Sequence, residues 1–158
     1  MKITMLGTGN ALVTECYNTC FVLQDGGRYL LVDGGGGNTI LRRLKQAGFN
    51  WMDMREIFVT HKHIDHLMGI VWMIRMICQY MRQGQYQGEV WIYGHDEVTA
   101  ILSELADKLL SSKDTRFIGK RLHMETVSDG EERLLLGRKT TFFDIRSTKA
   151  KQYGFCMD

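Results

Sequence analysis

Proline is absent from this chain of 158 residues, although average usage would give about eight. Turns must therefore depend on the 17 glycines and on asparagine and aspartate, which also tolerate turn conformations. Excess charge is lacking too, because 20 basic and 18 acidic residues leave a net charge of +2. A field this weak does not predict a nucleic-acid or membrane surface.

Cysteine is scarce and forms no paired pattern. The four cysteines lack a CxxC motif, which favours reduced thiols in a cytoplasmic protein. The most apolar run, residues 67–81, is too short and interrupted to span a bilayer, so no membrane partner is expected. Length and composition are those of one globular domain over residues 1–158.

Histidine is also rare, with five residues in the chain, yet three of them fall within one hexapeptide directly behind an apolar run. The segment reads Phe58-Val59-Thr60-His61-Lys62-His63-Ile64-Asp65-His66. On an extended backbone side chains alternate faces, so His61 and His63 point the same way and can hold one ion. Asp65 and His66 then lie at the entrance of a helix predicted over residues 67–81, where a second ion could bind. Imidazole and carboxylate together suit zinc, iron or manganese better than calcium or magnesium.

A simpler interpretation treats Asp65 as a helix N-cap and the histidines as polar loop residues. An N-cap explains one of the four residues, so we favour a metal site. The two remaining histidines, His95 and His123, are interpreted as a capping or surface residue and as an ordinary strand residue.

Alternating and turn patterns predict a mixed α/β fold. Asp25-Gly26 between two apolar runs predicts a hairpin, and Asn38 is expected to cap a helix that Gly48 ends. Further strands are predicted at residues 2–6, 55–59, 89–93, 115–118 and 121–127. A helix is predicted to end at about Leu110, a second hairpin to turn at Gly137-Arg138, and a last strand to lie near the end of the chain. Asp33, which ends a buried strand before four glycines, is either a turn former or a residue that orients the histidine loop, and we favour the second.

Three segments together resemble a known family. They are Met5-Leu6-Gly7-Thr8-Gly9, Leu31-Val32-Asp33-Gly34-Gly35 and the HxHxDH run from Ile57 to Gly69. In this order and spacing they are similar to the first three signatures of the metallo-β-lactamase fold, closest to its ribonuclease Z-like (tRNA 3′-processing endonuclease) branch. The resemblance implies an αββα sandwich of which this chain is the N-terminal half or more, with the second half incomplete.

The resemblance also implies roles for single residues. His61 and His63 would hold one ion, Asp65 and His66 the other, with Asp65 as the catalytic residue and one or two zinc ions, or manganese or iron, as cofactor. Asp33 and Thr60 would support these ligands. A later family histidine that completes the first site is replaced here by Arg146, which cannot ligate because it is always protonated.

A metal-dependent hydrolase of phosphodiesters, small-molecule or RNA, is the leading functional hypothesis, since the nearest branch hydrolyses them. An ester, lactone or thioester hydrolase of the same fold is the first alternative. A catalytically incomplete metal-binding or structural protein is another, favoured by Arg146. Nucleic-acid binding without catalysis would need a basic, aromatic-lined groove that the net charge does not indicate.

Association is expected as well. Relative to the family, a chain ending at Asp158 should leave apolar strand faces and an unpaired edge near residues 152–157. We therefore predict a homo-oligomer or a missing C-terminal partner.

Overall fold

The computed structural model describes residues 1–158 as two β-sheets with helices on one outer side. The larger sheet has six strands in chain order, β1 (Lys2–Gly7), β2 (Cys20–Asp25), β3 (Arg28–Val32), β4 (Glu56–Phe58), β5 (Val90–Gly94) and β6 (Leu122–Thr126). The first three strands are antiparallel neighbours, and β3 to β6 run parallel. Parallel pairing brings the carboxyl ends of β3, β4 and β5 to the same edge of the sheet.

The smaller sheet is antiparallel and contains β7 (Glu132–Leu135), β8 (Arg138–Asp144) and β9 (Tyr153–Met157). The helices are α1 (Thr39–Gln46), α2 (Ile64–Arg82), α3 (Asp96–Leu109) and the short α4 (Ser112–Thr115), with a single 3-10 turn at Trp51–Asp53. None of the helices combines the length and the hydropathy that a span of the bilayer needs.

Two apolar cores lie on opposite faces of the six-stranded sheet. The larger joins alternate strand residues such as Leu31, Ile57 and Ile92 to the buried faces of α1, α2 and α3. The smaller, with 10 buried residues, joins the other face to the three-stranded sheet, where the Phe58 ring lies 5.2 Å from that of Phe142. The alternation of the strands thus fixes which residues face the helices and which face the second sheet.

Most of the predicted elements are present. The hairpin at Asp25-Gly26 turns at Gly26 and Gly27, both with positive φ, and joins β2 to β3. The predicted strand at residues 115–118 is wrong, because α4 and a following turn occupy it. Asn38 stands at the N-cap of α1 but its side chain makes no capping hydrogen bond, since its backbone is already α-helical.

The second hairpin turns one residue earlier than predicted. Leu135 pairs with Arg138, so the two turn residues are Leu136 and Gly137, with φ of 55° and 76°. Leucine rarely adopts such a φ. Burial of Leu136 and a 2.7 Å hydrogen bond from its backbone N–H to the Glu56 carboxylate stabilise this conformation.

The inner face of the six-stranded sheet is covered only in part. Ile3 and Met5 lie opposite Leu23 and Phe21 on that face, and they are 62% and 49% exposed. Strand β9 pairs with β8 on one side only. Apolar faces and an open edge are therefore present where the sequence predicts them, while the association they were expected to drive stays a prediction.

Candidate metal centre

The loop that follows β4 carries the predicted ligands, at the edge where β3 and β5 also end. The backbone N–H of Tyr153 donates to Thr60 O at 2.9 Å, which ties the loop to β9. Lys62 points away from the histidines and forms a 2.7 Å salt bridge with Glu97 at the start of α3. Asp65 and His66 lie in the first turn of α2, which begins earlier than predicted, and His63 rather than Asp65 occupies its N-cap.

Asp33 organises this loop through three hydrogen bonds. Its carboxylate accepts from the Thr60 backbone N–H, from the Thr60 hydroxyl and from His66 Nδ1, each at 2.8 Å. Asp33 is 4% exposed and has a φ of 59°, a region that aspartate tolerates better than most residues. The expected contact of Asp33 with the histidine loop is therefore present in the structure.

These bonds also determine which ring nitrogens are free. Because the Thr60 hydroxyl donates to Asp33, its oxygen accepts from His61 Nδ1–H at 2.9 Å. Donation through Nδ1 leaves the lone pair of Nε2 free in both His61 and His66, which is the state a metal ligand requires.

Burial lowers the pKa of His61 to about 4, and the nearby His66 acts in the same direction. Burial alone would lower the pKa of His66 as well, but its bond to Asp33 and the charges of Asp33 and Asp65 outweigh burial and raise it.

The candidate ligand atoms form two close pairs. His61 Nε2 accepts a hydrogen bond from His63 Nδ1 at 3.1 Å, which a bound metal ion would replace, and His66 Nε2 and Asp65 Oδ2 are 3.4 Å apart. Two ligands at about 2.0–2.1 Å from a tetrahedral zinc ion would be about 3.3 Å apart. Each pair therefore fits half of a tetrahedral zinc site.

Neither pair is a full ligand set. No group of three or more His, Cys, Asp or Glu side chains has the geometry to hold one ion. Arg146, at the place where the resemblance expects another histidine, is exposed in the loop between β8 and β9 with a φ of 53°. The chain thus supplies two ligands to each candidate position.

The glycine segment after β3 lets α2 approach closely. A Cβ on Gly69 would lie 1.8 Å from the carbonyl oxygen of Gly34, and the Gly69 backbone N–H donates to Gly35 O at 2.8 Å. The His66 carbonyl accepts from the Gly34 N–H at 2.8 Å. The run of glycines therefore fixes the helix that presents Asp65 and His66.

A polar groove borders this side of the site. It has a volume of about 480 Å³ and lies between residues 13–18 and the start of α1. A Cβ on Gly36, in its wall, would lie 3.9 Å from the Asp65 Cα. Arg42 and Arg43 also line the groove, and neither forms a salt bridge with a carboxylate.

Sequence reasoning missed His95. It was interpreted as a capping or surface residue, and it does hold the N-cap of α3, but its side chain is 0% exposed. Neither ring nitrogen makes a hydrogen bond of good geometry, although Nδ1 lies 3.4 Å from the carboxylate of Asp96, and the ring centroid lies 5.4 Å from that of Tyr153. Its position directly after β5, at the edge that carries the histidine loop, was the available signal. His123 lies in β6 and contacts Glu89.

The fold is shared with several solved structures. A metallo-β-lactamase fold protein, YhfI from Bacillus subtilis, has a TM-score of 0.74 at 18% identity, covering 99% of this chain and 58% of that one. A diphosphatase of the PhnP family has a TM-score of 0.75 at 17% identity, covering 98% and 61%. The short form of human tRNase Z has a TM-score of 0.72 at 18% identity, covering 100% and 64%.

Sequence relatives agree with that fold. Ribonuclease Z from Methanothermobacter thermautotrophicus is 38% identical over 76 residues, which are 48% of this chain and 24% of the relative. Ribonuclease Z from Salinibacter ruber is 40% identical over 73 residues, or 44% and 22%. The match thus spans about a quarter of each curated relative. The model of one family, Anti-Pycsar protein Apyc1, matches residues 1–158. With a family match over its whole length and this fold, the chain belongs to the Anti-Pycsar protein Apyc1 family of the metallo-β-lactamase fold.

Proposed function

We propose that this chain is a metal-dependent hydrolase that acts on a phosphodiester. The observation that carries the proposal is the arrangement of two ligand pairs, His61 with His63 and Asp65 with His66, around the shared acceptor Asp33. Ribonuclease Z relatives and the PhnP-family diphosphatase bear names of phosphoryl-group hydrolases, which supports the same chemistry.

Zinc or another transition metal ion, when bound, lowers the pKa of a coordinated water and offsets negative charge on a phosphoryl group. Asp33 holds His61 (through Thr60) and His66 in the tautomer that leaves Nε2 free, so that their rings need not reorganise on binding. Asp65, at the end of α2 that borders the polar groove, would accept the proton of the attacking nucleophile.

The groove favours an anionic substrate over a neutral one. Its lining carries two guanidinium groups, those of Arg42 and Arg43, against one carboxylate, that of Glu15, and neither arginine forms a salt bridge. Guanidinium groups bind phosphate in two-pronged hydrogen bonds. A neutral ester, lactone or thioester would leave both cations unpaired. The family name, Anti-Pycsar protein, further favours a role in opposing Pycsar.

The activity is tested with bis-(p-nitrophenyl) phosphate as a generic diester. Protein stripped with chelator and then reloaded with zinc or manganese should hydrolyse it, and His61→Ala and Asp65→Asn variants should lose at least about a hundredfold in rate. An equal rate in the variants would contradict the proposal. Metal binding without any hydrolysis would instead support the alternative of a catalytically incomplete metal-binding protein, and faster turnover of p-nitrophenyl acetate than of the diester would favour an ester hydrolase.

A further inference from the structure

A second cavity lies at the far end of α1, away from the candidate metal centre. It has a volume of about 630 Å³, within the range of about 300–1,000 Å³ that is typical of small-molecule sites. Its walls are the C-terminal end of α1 and the segment that leads into the 3-10 turn at Trp51–Asp53. Lys45, at this end of α1, lies about 10 Å along the helix axis from Asn38, which stands at the end nearer the metal centre. The cavity is therefore distinct from the metal centre, although it shares one lining residue, Arg42, with the polar groove.

Two aromatic rings form the apolar wall, and both are held in place from behind. Phe49 packs edge to face on Tyr29 with 5.4 Å between ring centroids, and Trp51 packs on Tyr80 at 4.9 Å and 90°. Both rings remain partly exposed in the cavity. A flat ligand that stacks on these rings would lose little binding free energy to ordering them, because their packing already holds them in place.

The cavity also has cationic lining residues. Arg42 and Lys45 line it, neither has a salt-bridge partner, and residues 39–50 contain no acidic residue. The helix dipole accounts for Lys45 in the last turn, but it disfavours a cation near the first turn, where Arg42 lies. Asn50 Oδ1 accepts from the Met52 N–H, which leaves the amide NH2 of Asn50 free as a donor at the rim.

We propose that this cavity binds a nucleotide, with the base stacked against Phe49 and Trp51 and the phosphate held by Arg42 and Lys45. Aromatic rings bind bases of any sequence by stacking, and paired cations bind a phosphate group. The ligand is either a free mononucleotide or one unit of a single-stranded nucleic acid. The small net charge of the chain gave no sign of this site, because Arg42 and Lys45 are two of 20 basic residues that 18 acidic residues nearly balance.

The test measures binding in the presence of chelator, so that the outcome does not depend on the candidate metal centre or on hydrolysis. Isothermal titration with adenosine 5′-monophosphate examines the free nucleotide, and fluorescence anisotropy of a labelled ten-nucleotide RNA examines the strand. Ribose 5-phosphate, which lacks the base, should bind at least about tenfold more weakly than the mononucleotide if stacking contributes.

Two variants distinguish binding in this cavity from binding in the polar groove, because they alter residues that line only this cavity. Lys45→Glu should weaken binding by about tenfold or more, and Phe49→Leu by about threefold or more. Lys113→Glu, the same charge reversal on an exposed lysine of α4 without a salt bridge, is the matched control and should leave affinity unchanged. Circular dichroism melts verify folding, and Phe49→Leu decides the matter if Lys45→Glu does not fold.

Binding of the mononucleotide with this pattern of variants supports a free ligand, and binding of the RNA alone with the same pattern supports a strand. Absence of binding by the wild type, equal affinity in Lys45→Glu and Phe49→Leu, or equal weakening by Lys113→Glu would each overturn the proposal. A lack of metal-dependent diester hydrolysis bears only on the proposed function.

Discussion

Replacing Asp33 by asparagine should both destabilise the metal-free protein and weaken its binding of metal. Asparagine has the same shape and tolerates the φ of 59°, so the backbone can stay as it is. The amide oxygen can keep the Oδ2 position, where it accepts from the Thr60 hydroxyl and from His66 Nδ1, so the NH2 group replaces Oδ1 and faces the Thr60 backbone N–H. Two donors would then face each other in a site that is 4% exposed, and the two remaining bonds would lose their charged acceptor.

The magnitude follows from these contacts. A hydrogen bond to a charged group contributes about 1.5–3 kcal/mol, and the loss of the bond from the Thr60 N–H together with the weakening of the other two gives a net loss of about 3 kcal/mol. For a domain of this size we expect Tm to fall by about 6–12 °C. Loss of a group that orients metal ligands typically weakens metal affinity by about 10–100-fold.

Thermal denaturation in chelator, followed by circular dichroism, measures the first effect, and zinc titration by calorimetry measures the second. Asp107→Asn, which removes the same charge from an exposed position on α3, is the matched control. If Asp33→Asn has the Tm and zinc affinity of the wild type, Asp33 does not organise the loop.

Three further predictions concern other parts of the molecule. Burial raises the pKa of Glu56, so its carboxyl favours folding below about pH 4.3, and this contribution is lost as pH rises through the folded pKa. Glu56→Gln should therefore raise the urea midpoint of unfolding at pH 7.5 and not at pH 4. The opposite order would refute the assignment. Gly69→Ala should lower the free energy of unfolding by more than about 3 kcal/mol or prevent folding, because the new Cβ would meet the Gly34 carbonyl. Gly37→Ala, with open space around the Cβ, should change stability to urea little. Equal effects of the two substitutions would contradict the close packing. Arg146→His should raise zinc affinity in calorimetry, since an imidazole replaces a fixed positive charge, and unchanged affinity would mean that this position is not at the site.

The order of the elements could be predicted because their signals are local. The Asp25-Gly26 hairpin, the strand before the histidine loop and the helix after it each depend on a short pattern. The hairpin at residues 136–137 was misplaced by one residue because its turn begins with a leucine, which a hydrogen bond from a distant strand residue, Glu56, stabilises. Such a contact leaves no trace in the neighbouring sequence.

The candidate site likewise contains residues that local patterns indicate and residues that they do not. His61, His63, Asp65 and His66 were recognisable because their spacing is local, and Asp33 because it ends a buried strand. The burial of His95 arises from packing between segments that are distant in sequence, which a single sequence does not display. The cavity beside α1 is lined by residues 41–51, but the rings of Phe49 and Trp51 pack on the distant Tyr29 and Tyr80.

Metal content is the most direct test of the central claim that the two ligand pairs bind transition metal ions. The wild type and a His61→Ala/His63→Ala double variant are stripped with chelator, loaded with zinc, desalted and analysed by elemental mass spectrometry. The wild type should retain zinc, and the variant should lose the ion held by the histidine pair. Equal zinc content in the two proteins would contradict the account.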